Sequence, residues 1–272
     1  MMIRLASEAD LEAMTAVLIG ASALDPVYPY RFPDRHLYPD EFAALCRRKC
    51  SEYLDSSTVV VCEMPVDDAY GSPTQVVAFS AWDMPSAADP ACQSRRDSAV
   101  VLVEPTSPTS PTFPSPPTTI GNVTRQSAFR AALAKHKTEF FDARFGGGQQ
   151  QHVFLKILLC HPTHQRRGAG TALTVWGIEQ ARRLGVHTTV FASPMGLRLY
   201  QKLGFREVGR FTVQLEGEGE FLEIPALALG PGLVGGMREA ADGGGAGLGL
   251  CGLRVGDCPG GGGGGWSGAV CA

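Results

Sequence analysis

A nearly continuous apolar run, His152–Cys160 (HVFLKILLC), constrains the fold more than any other segment of the chain. Strands buried on both faces have such runs, so this one is expected at the centre of a sheet. The chain then turns through Gln165–Arg167 and reaches Gly168 and Gly170 directly before an amphipathic helix. At such a junction the unpaired N–H groups and the positive end of the helix dipole attract anions. The sequence therefore predicts a phosphate or pyrophosphate site here.

Two common nucleotide-binding motifs do not fit this junction. A Walker loop needs a lysine after its last glycine, and Gly170 is followed by Thr171. A dinucleotide fingerprint needs a third glycine at position 173, where Leu173 stands. The run 247–252 does satisfy Gly-x-Gly-x-x-Gly, but it has neither a strand before it nor an amphipathic helix after it. Neither nucleotide motif is therefore predicted.

The junction instead resembles the pyrophosphate-binding motif of the GNAT superfamily of N-acetyltransferases, Gln/Arg-x-x-Gly-x-Gly/Ala. The residues that match are Gln165, Arg166, Arg167, Gly168, Ala169 and Gly170. A second segment, Leu199–Phe205 (LYQKLGF), is similar to the family's C-terminal motif, in which a tyrosine lies on a helix that ends in Gly-Phe before a strand. The resemblance covers about 3–84 and 120–229. The aromatic, proline-rich first segment and a long insertion resemble divergent fungal members.

The resemblance implies an α/β fold with a mixed, mostly antiparallel sheet that is splayed at its central strands and flanked by helices on both faces. Hydrophobic periodicity predicts the order β-α-α-β-β-α-β-α-β-α-β-β. The predicted strands are Ile3–Leu5, Thr58–Cys62, Val76–Trp82, His152–Cys160, Thr188–Phe191, Glu207–Leu215 and Phe221–Leu229. The predicted helices follow Ser7 and cover Tyr38–Leu54, Arg125–Arg144, Gly170–Leu184 and Pro194–Leu203.

Glycine and proline divide the chain into one domain and two segments outside its core. Residues 230–272 contain 18 of the 33 glycines, and residues 104–119 contain six prolines. Glycine-rich chain loses much entropy on ordering, and proline-rich chain cannot continue a sheet. We expect one domain over 1–229, a disordered insertion at about 85–119 and a disordered tail over 230–272.

The family resemblance also implies how the co-substrate, acetyl-CoA, is bound. The backbone of Leu158, Leu159 and Cys160 is expected to bond the pantetheine arm and to polarise the thioester carbonyl. The loop that holds the pyrophosphate consists of Gln165, Arg166, Arg167, Gly168, Ala169, Gly170 and Thr171. The family often has asparagine where Ser193 stands, so the side-chain contact along the cofactor at this position is expected to differ.

Catalysis by such a fold needs an acid and a base. The phenol of Tyr200 is the predicted acid for the departing thiolate, although the same residue also suits packing between helix and sheet. Asp83 and His152 are both candidates for the general base. Each could also be an ordinary polar residue at the end of a strand. The pair His161 and His164 precedes the glycine turn without a helix to aim both rings at one ion, so no metal site is predicted.

The acceptor is expected to contact the connection between the first two helices, 24–38, which contains three tyrosines. The resemblance implies transfer of acetyl to an amine of a small molecule or a protein. Two alternatives remain open: a non-catalytic protein of this fold that binds acyl-CoA as a sensor or scaffold, and transfer of an acyl group larger than acetyl. The same connection also suits a loop that merely covers the core.

Composition bears on partners and compartment. The formal net charge of −3 offers no large positive field for nucleic acid. The sequence has no apolar run of 18 residues, and its first residues do not form a secretory signal, so we expect no membrane span and a cytoplasmic or nuclear location. The eight cysteines include no Cys-x-x-Cys pair and are expected to be free thiols. The oligomeric state is not predicted.

Overall fold

A computed structural model describes residues 1–66, 73–85, 121–145 and 151–232 of the chain. Seven strands form one sheet in the order β1-β2-β3-β4-β5-β7-β6. The strands are β1 (Met2–Leu5), β2 (Thr58–Pro65), β3 (Thr74–Asp83), β4 (His152–Cys160), β5 (His187–Phe191), β6 (Arg206–Gln214) and β7 (Phe221–Leu229). The helices in these ranges are α1 (Leu11–Ser22), α2 (Val27–Arg31), α3 (Pro39–Ser56), α4 (Val123–Lys137), α5 (Ala169–Leu184) and α6 (Leu197–Lys202).

The sheet is mixed and mostly antiparallel, as predicted. Neighbouring strands pair antiparallel everywhere except between β4 and β5, which run parallel. The continuous apolar run of β4 agrees with its central position, because both of its faces are covered by helices. The predicted α/β fold with helices on both faces is confirmed.

Each face of the sheet carries its own apolar core. On one face α5 and α6 pack over β3, β4, β5 and β7. On the other face α1 and α3 pack over β2 and β3, and α4 packs with α2 over β6 and β7. The fit is closest between α5 and β3, where Gly177 lies directly against the fully buried ring of Trp82. These cores fix the positions of the helices on both faces of the central strands.

The central strands separate halfway along β4. Pairing between β4 and β5 ends at Leu155 and Val190. At the same place the register between β3 and β4 shifts, so that Ala81 faces Ile157, Trp82 faces Leu155, and Lys156 between them has no opposite residue. Such a bulge bends its strand and increases its twist. The second half of β4 therefore pairs with β3 on one side only, and the sheet is splayed as predicted.

The structure adds two features that the sequence analysis did not predict. The short helix α2 lies within the connection 24–38, and α4 continues through a π-helical turn at Thr138–Asp142 and a further turn at Ala143–Phe145. The last predicted helix begins at Leu197, three residues later than expected. The predicted insertion from residue 86 to 119, the glycines 146–148 and the tail from residue 233 onward lie outside the described residues. No described helix has the length and apolar character needed to cross a membrane.

Candidate active site

A cavity of about 710 Å³ lies beside the gap between β4 and β5. Its walls come from α2, α3 and α4, and its floor comes from the diverging halves of β4 and β5. The tyrosine of α6 reaches the same space from the other side of the sheet. Ligand pockets for small molecules have volumes of roughly 300–1,000 Å³, so the cavity is large enough to enclose one.

The free half of β4 brings two of the three predicted thioester-site residues to the cavity. Leu158 and Leu159 line it, whereas Cys160 does not. Cys160 instead pairs with Ala78 of β3, and its carbonyl oxygen accepts a hydrogen bond from Gln165 Nε2 at 3.4 Å. Because this half of β4 does not pair with β5, its main-chain groups on that side can bond an extended ligand as a neighbouring strand would.

The predicted pyrophosphate loop follows directly after β4. The chain makes a 3₁₀ turn at Pro162–His164, and then Arg166 and Gly168 adopt positive φ angles of 64° and 90°. Helix α5 begins at the next residue, Ala169. Arg167, Gly168 and Thr171 are exposed, and a Cβ added at Gly168 would meet nothing within 4 Å. Ala169 and Gly170, in the first turn of α5, are buried, so the predicted anion site is open to solvent at Arg167, Gly168 and Thr171 and lies outside the lining of the cavity.

Tyr200 lies where the cavity meets the gap in the sheet. Its side chain is 4% exposed, packs edge-on against Phe205 and lines the cavity. Burial raises the pKa of the phenol well above its usual value, and the charge of Asp25 raises it further. The phenol therefore stays protonated at neutral pH and can donate a proton.

Asp25 is a buried carboxylate at this end of the cavity that the sequence analysis missed. It immediately precedes Pro26 at the start of α2, is 8% exposed and lines the cavity. Its Oδ1 accepts a hydrogen bond from the Val27 N–H at 3.0 Å, and the Ser193 hydroxyl also donates to the carboxylate. Burial raises the pKa of Asp25 above its usual value. Asp25, Ser193 and Tyr200 are hereafter called the acid cluster.

The two predicted candidates for the base are placed differently. Asp83 lines the cavity, but it forms an ion pair with Lys156 Nζ at 3.1 Å. His152 is fully buried and is not part of the cavity wall. Its Nε2 contacts Asp142 Oδ1 at 2.9 Å and its Nδ1 contacts Thr189 Oγ1 at 2.7 Å, while burial lowers its pKa. The structure thus brings Asp83, but not His152, to the cavity.

His161 and His164 are held by hydrogen bonds to neighbouring side chains. The Nδ1 atoms of both rings contact Thr163 Oγ1 at 2.8 Å, and His164 Nε2 contacts the Gln75 amide at 3.3 Å. Over the described ranges, no group of three or more His, Cys, Asp or Glu side chains could hold a metal ion.

Comparison with known proteins finds sequence similarity to acetyltransferases. The sequence profile of the acetyltransferase (GNAT) family matches residues 134–205. An acetyltransferase of the fungus Stachybotrys chartarum is 24% identical over 220 residues, which cover 79% of this chain and 85% of the relative.

Solved structures of acetyltransferases also superpose on this chain. The mosquito arylalkylamine N-acetyltransferase like 5b superposes with a TM-score of 0.52 at 16% identity, over 84% of this chain and 98% of the other. A histone acetyltransferase and related acetyltransferase from Corynebacterium glutamicum superposes with a TM-score of 0.48 at 19% identity, over 85% of this chain and 96% of the other.

Proposed function

We propose that this chain, which matches the acetyltransferase (GNAT) family profile over residues 134–205, is an acetyltransferase of that family and transfers acetyl from acetyl-CoA directly to the amino group of a small molecule bound in the cavity. One observation carries the choice of acceptor: the acid cluster lines a cavity of about 710 Å³ beside the free half of β4. A space of this kind suits a small amine better than a folded protein surface.

The chain's own main-chain groups are suited to hold acetyl-CoA. Leu158 and Leu159 would bond the pantetheine arm along the free half of β4, and the start of α5 at Gly168–Thr171 would receive the pyrophosphate. The positive φ of Gly168 supports this assignment, since it opens the loop without a side chain in the way. Acetyl-CoA supplies the thioester carbonyl that the amine attacks.

Asp25 is the group that we assign to the amine. An alkyl amine with a pKa of about 10.4 is neutral only about once in 2,500 molecules at pH 7, a cost of about 4.6 kcal/mol. A desolvated carboxylate with a raised pKa is a stronger base than an exposed one, and it attracts the ammonium form before taking its proton. Ser193 donates to the same carboxylate and thereby fixes its orientation.

Tyr200 is the group that we assign to the departing thiolate. Its raised pKa keeps the hydroxyl protonated until the sulfur leaves, and its position on the cavity wall beside the gap suits a donor to that sulfur. Asp25 and Tyr200 then act on opposite sides of one reaction: Asp25 removes a proton from nitrogen and Tyr200 supplies one to sulfur.

Steady-state release of CoA over a broad amine panel tests the proposal. We expect turnover by the wild type, and losses of kcat of about 10²-fold or more in Asp25→Asn and Tyr200→Phe, within the range typical of general acid and base groups. Tyr38→Phe is the matched control, because Tyr38 lies outside the cavity lining, and it should change kcat by less than about twofold. Tight binding of acetyl-CoA without turnover on any amine would refute catalysis and indicate an acyl-CoA-binding protein instead.

A further inference from the structure

The cavity holds a half-buried cation that the proposed reaction does not use. Arg31, the last residue of α2, lines the cavity, and its Nε is buried without a hydrogen-bond partner among the described residues. The guanidinium lies against two aromatic rings, with Cζ 5.0 Å from the centroid of Phe32 and 4.6 Å from that of Phe129. Rings hold a cation in place, but they leave its N–H donors unsatisfied.

Other positive groups reinforce this one instead of neutralising it. Arg130 also lines the cavity, and its charge lowers the pKa of Arg31, as burial does to a greater extent. The lysines of the wall are already paired: Lys49 with Glu52, Lys137 with Asp142 and Lys156 with Asp83. In the part of the chain that the structure describes, neither arginine forms an ion pair with a carboxylate.

Asp25 and Arg31 do not neutralise each other, although both line the same cavity. The carboxylate of Asp25 bonds Val27 and Ser193, and Arg31 contacts rings. They flank α2, a five-residue helix about 7.5 Å long. One cavity therefore has a carboxylate without an ion-pair partner near one end of this helix and a guanidinium without an ion-pair partner at the other, among the residues that the structure describes. Burying either charge alone is costly, so each calls for a counter-charge from a ligand.

We infer that the acceptor is an amino acid, an amine that also carries a carboxylate, with its amino group at Asp25 and its carboxylate at Arg31 beside Arg130. This inference rests on the proposed acetyl transfer. The planar guanidinium matches a carboxylate through two parallel N–H···O bonds, which a lysine cannot reproduce. The aromatic rings that flank Arg31 then cover the body of the acceptor.

The test compares matched acceptors that differ only in the carboxylate. Panels of amino acids and their decarboxylated amines, such as phenylalanine with phenethylamine and leucine with isoamylamine, are assayed by CoA release. We expect kcat/KM at least tenfold higher for an amino acid than for its amine in the wild type. Arg31→Met should lower kcat/KM for that amino acid by about 10- to 100-fold, through an increase in KM. The same variant should change kcat/KM for the amine, and the KM of acetyl-CoA, by less than about twofold.

Two further variants separate recognition from damage to the fold. Arg183→Met changes an exposed arginine outside the lining of the cavity and should leave the preference intact. Arg31→Lys keeps the positive charge but cannot form two parallel N–H···O bonds to a carboxylate, so it should recover only part of the loss in kcat/KM. Binding of 3-phenylpropionate, which has the carboxylate but no amino group, is measured by calorimetry in the presence of CoA; it should weaken at least tenfold in Arg31→Met.

The outcomes distinguish the two proposals. Wild-type turnover that is equal for the two members of each pair, or higher for the amine, overturns the amino acid inference and leaves acetyl transfer standing. Unchanged binding of 3-phenylpropionate in Arg31→Met also overturns it. Absence of turnover with every acceptor refutes acetyl transfer to amines, and the inference about the acceptor falls with it even if the carboxylate still binds at Arg31.

Discussion

The ring of Tyr200 packs directly over the backbone of Gly196, four residues earlier. A Cβ added at Gly196 would lie 2.8 Å from Tyr200 Cε2 and 3.4 Å from the hydroxyl oxygen, so the buried ring would have to move. We expect Gly196→Ala to lower kcat by about tenfold or more, because a small misplacement of a catalytic group is costly, with little change in the KM of acetyl-CoA. Gly219→Ala, at a glycine with nothing within 4 Å, is the control. Equal kcat in both variants would contradict the role of Tyr200.

Single residues of the site differ in how far sequence could reveal them. Tyr200 and Ser193 could be proposed because the segment Leu199–Phe205 resembles a motif of a known family, and both residues occupy positions that this resemblance defines. Asp25 and Arg31 lie in a connection without hydrophobic periodicity, and their importance comes from burial, which depends on distant helices. The Asp-Pro pair at positions 25 and 26 was the one local signal, since Asp often caps a helix whose first turn contains proline.

At the scale of elements, α5 approaches β3 so closely that one of its positions has no room for a side chain. A Cβ at Gly177 would lie 2.1–2.4 Å from three ring atoms of Trp82, which is fully buried and bonded through Nε1 to Ser80 Oγ at 2.8 Å. Gly177→Ala should therefore destabilise the fold by about 1–3 kcal/mol, despite the better helix propensity of alanine. Urea unfolding measures the change.

The control for this prediction is Glu179→Ala, at an exposed position of the same helix. It should change the free energy of unfolding by no more than about 0.5 kcal/mol. Stability equal to or above that of the wild type in Gly177→Ala would show that Trp82 can move aside at little cost.

Elements with regular periodicity were predictable, and irregular ones were not. Alternating or continuous apolar runs located all seven strands to within a few residues at their ends. The helix α2 escaped prediction because five residues containing Pro29 are too few to show a period. The π turn at Thr138–Asp142 has no sequence signature. It arises where α4 must direct Phe141 and Asp142 towards His152.

At the scale of the whole molecule, His152 joins three elements through one buried network. Its ring bonds Asp142 from the end of α4 and Thr189 from β5, while Lys137 pairs with the same Asp142 oxygen at 2.9 Å. Burial lowers the pKa of His152, despite the raising effect of Asp142, so the folded state keeps the ring neutral. A neutral ring can donate from Nε2 to the carboxylate and accept at Nδ1 from the Thr189 hydroxyl.

This network predicts how stability depends on pH. Because burial lowers the pKa of His152 in the folded state, the unfolded chain protonates this ring more readily than the folded chain does below about pH 6.5. The unfolded state therefore binds more protons, and the free energy of unfolding decreases as the pH decreases. The loss approaches about 1.4 kcal/mol per pH unit for one such group. The raised pKa of the buried Asp25 changes the free energy of unfolding with pH in the opposite direction, equally in the wild type and the variants. The test is therefore the difference in pH dependence between the wild type and each variant.

Urea unfolding between pH 5 and 8 is measured for the wild type, His152→Gln and His36→Gln. Glutamine can still donate to Asp142 but does not titrate, so the fall in stability towards pH 5 should be shallower in His152→Gln. Part of the slope should remain, because burial also lowers the pKa of His164 and His187. His36 is exposed, and its variant should follow the wild type. An identical slope in His152→Gln would mean that the folded state protonates the ring as readily as the unfolded state does, so that the network does not lower the pKa of His152.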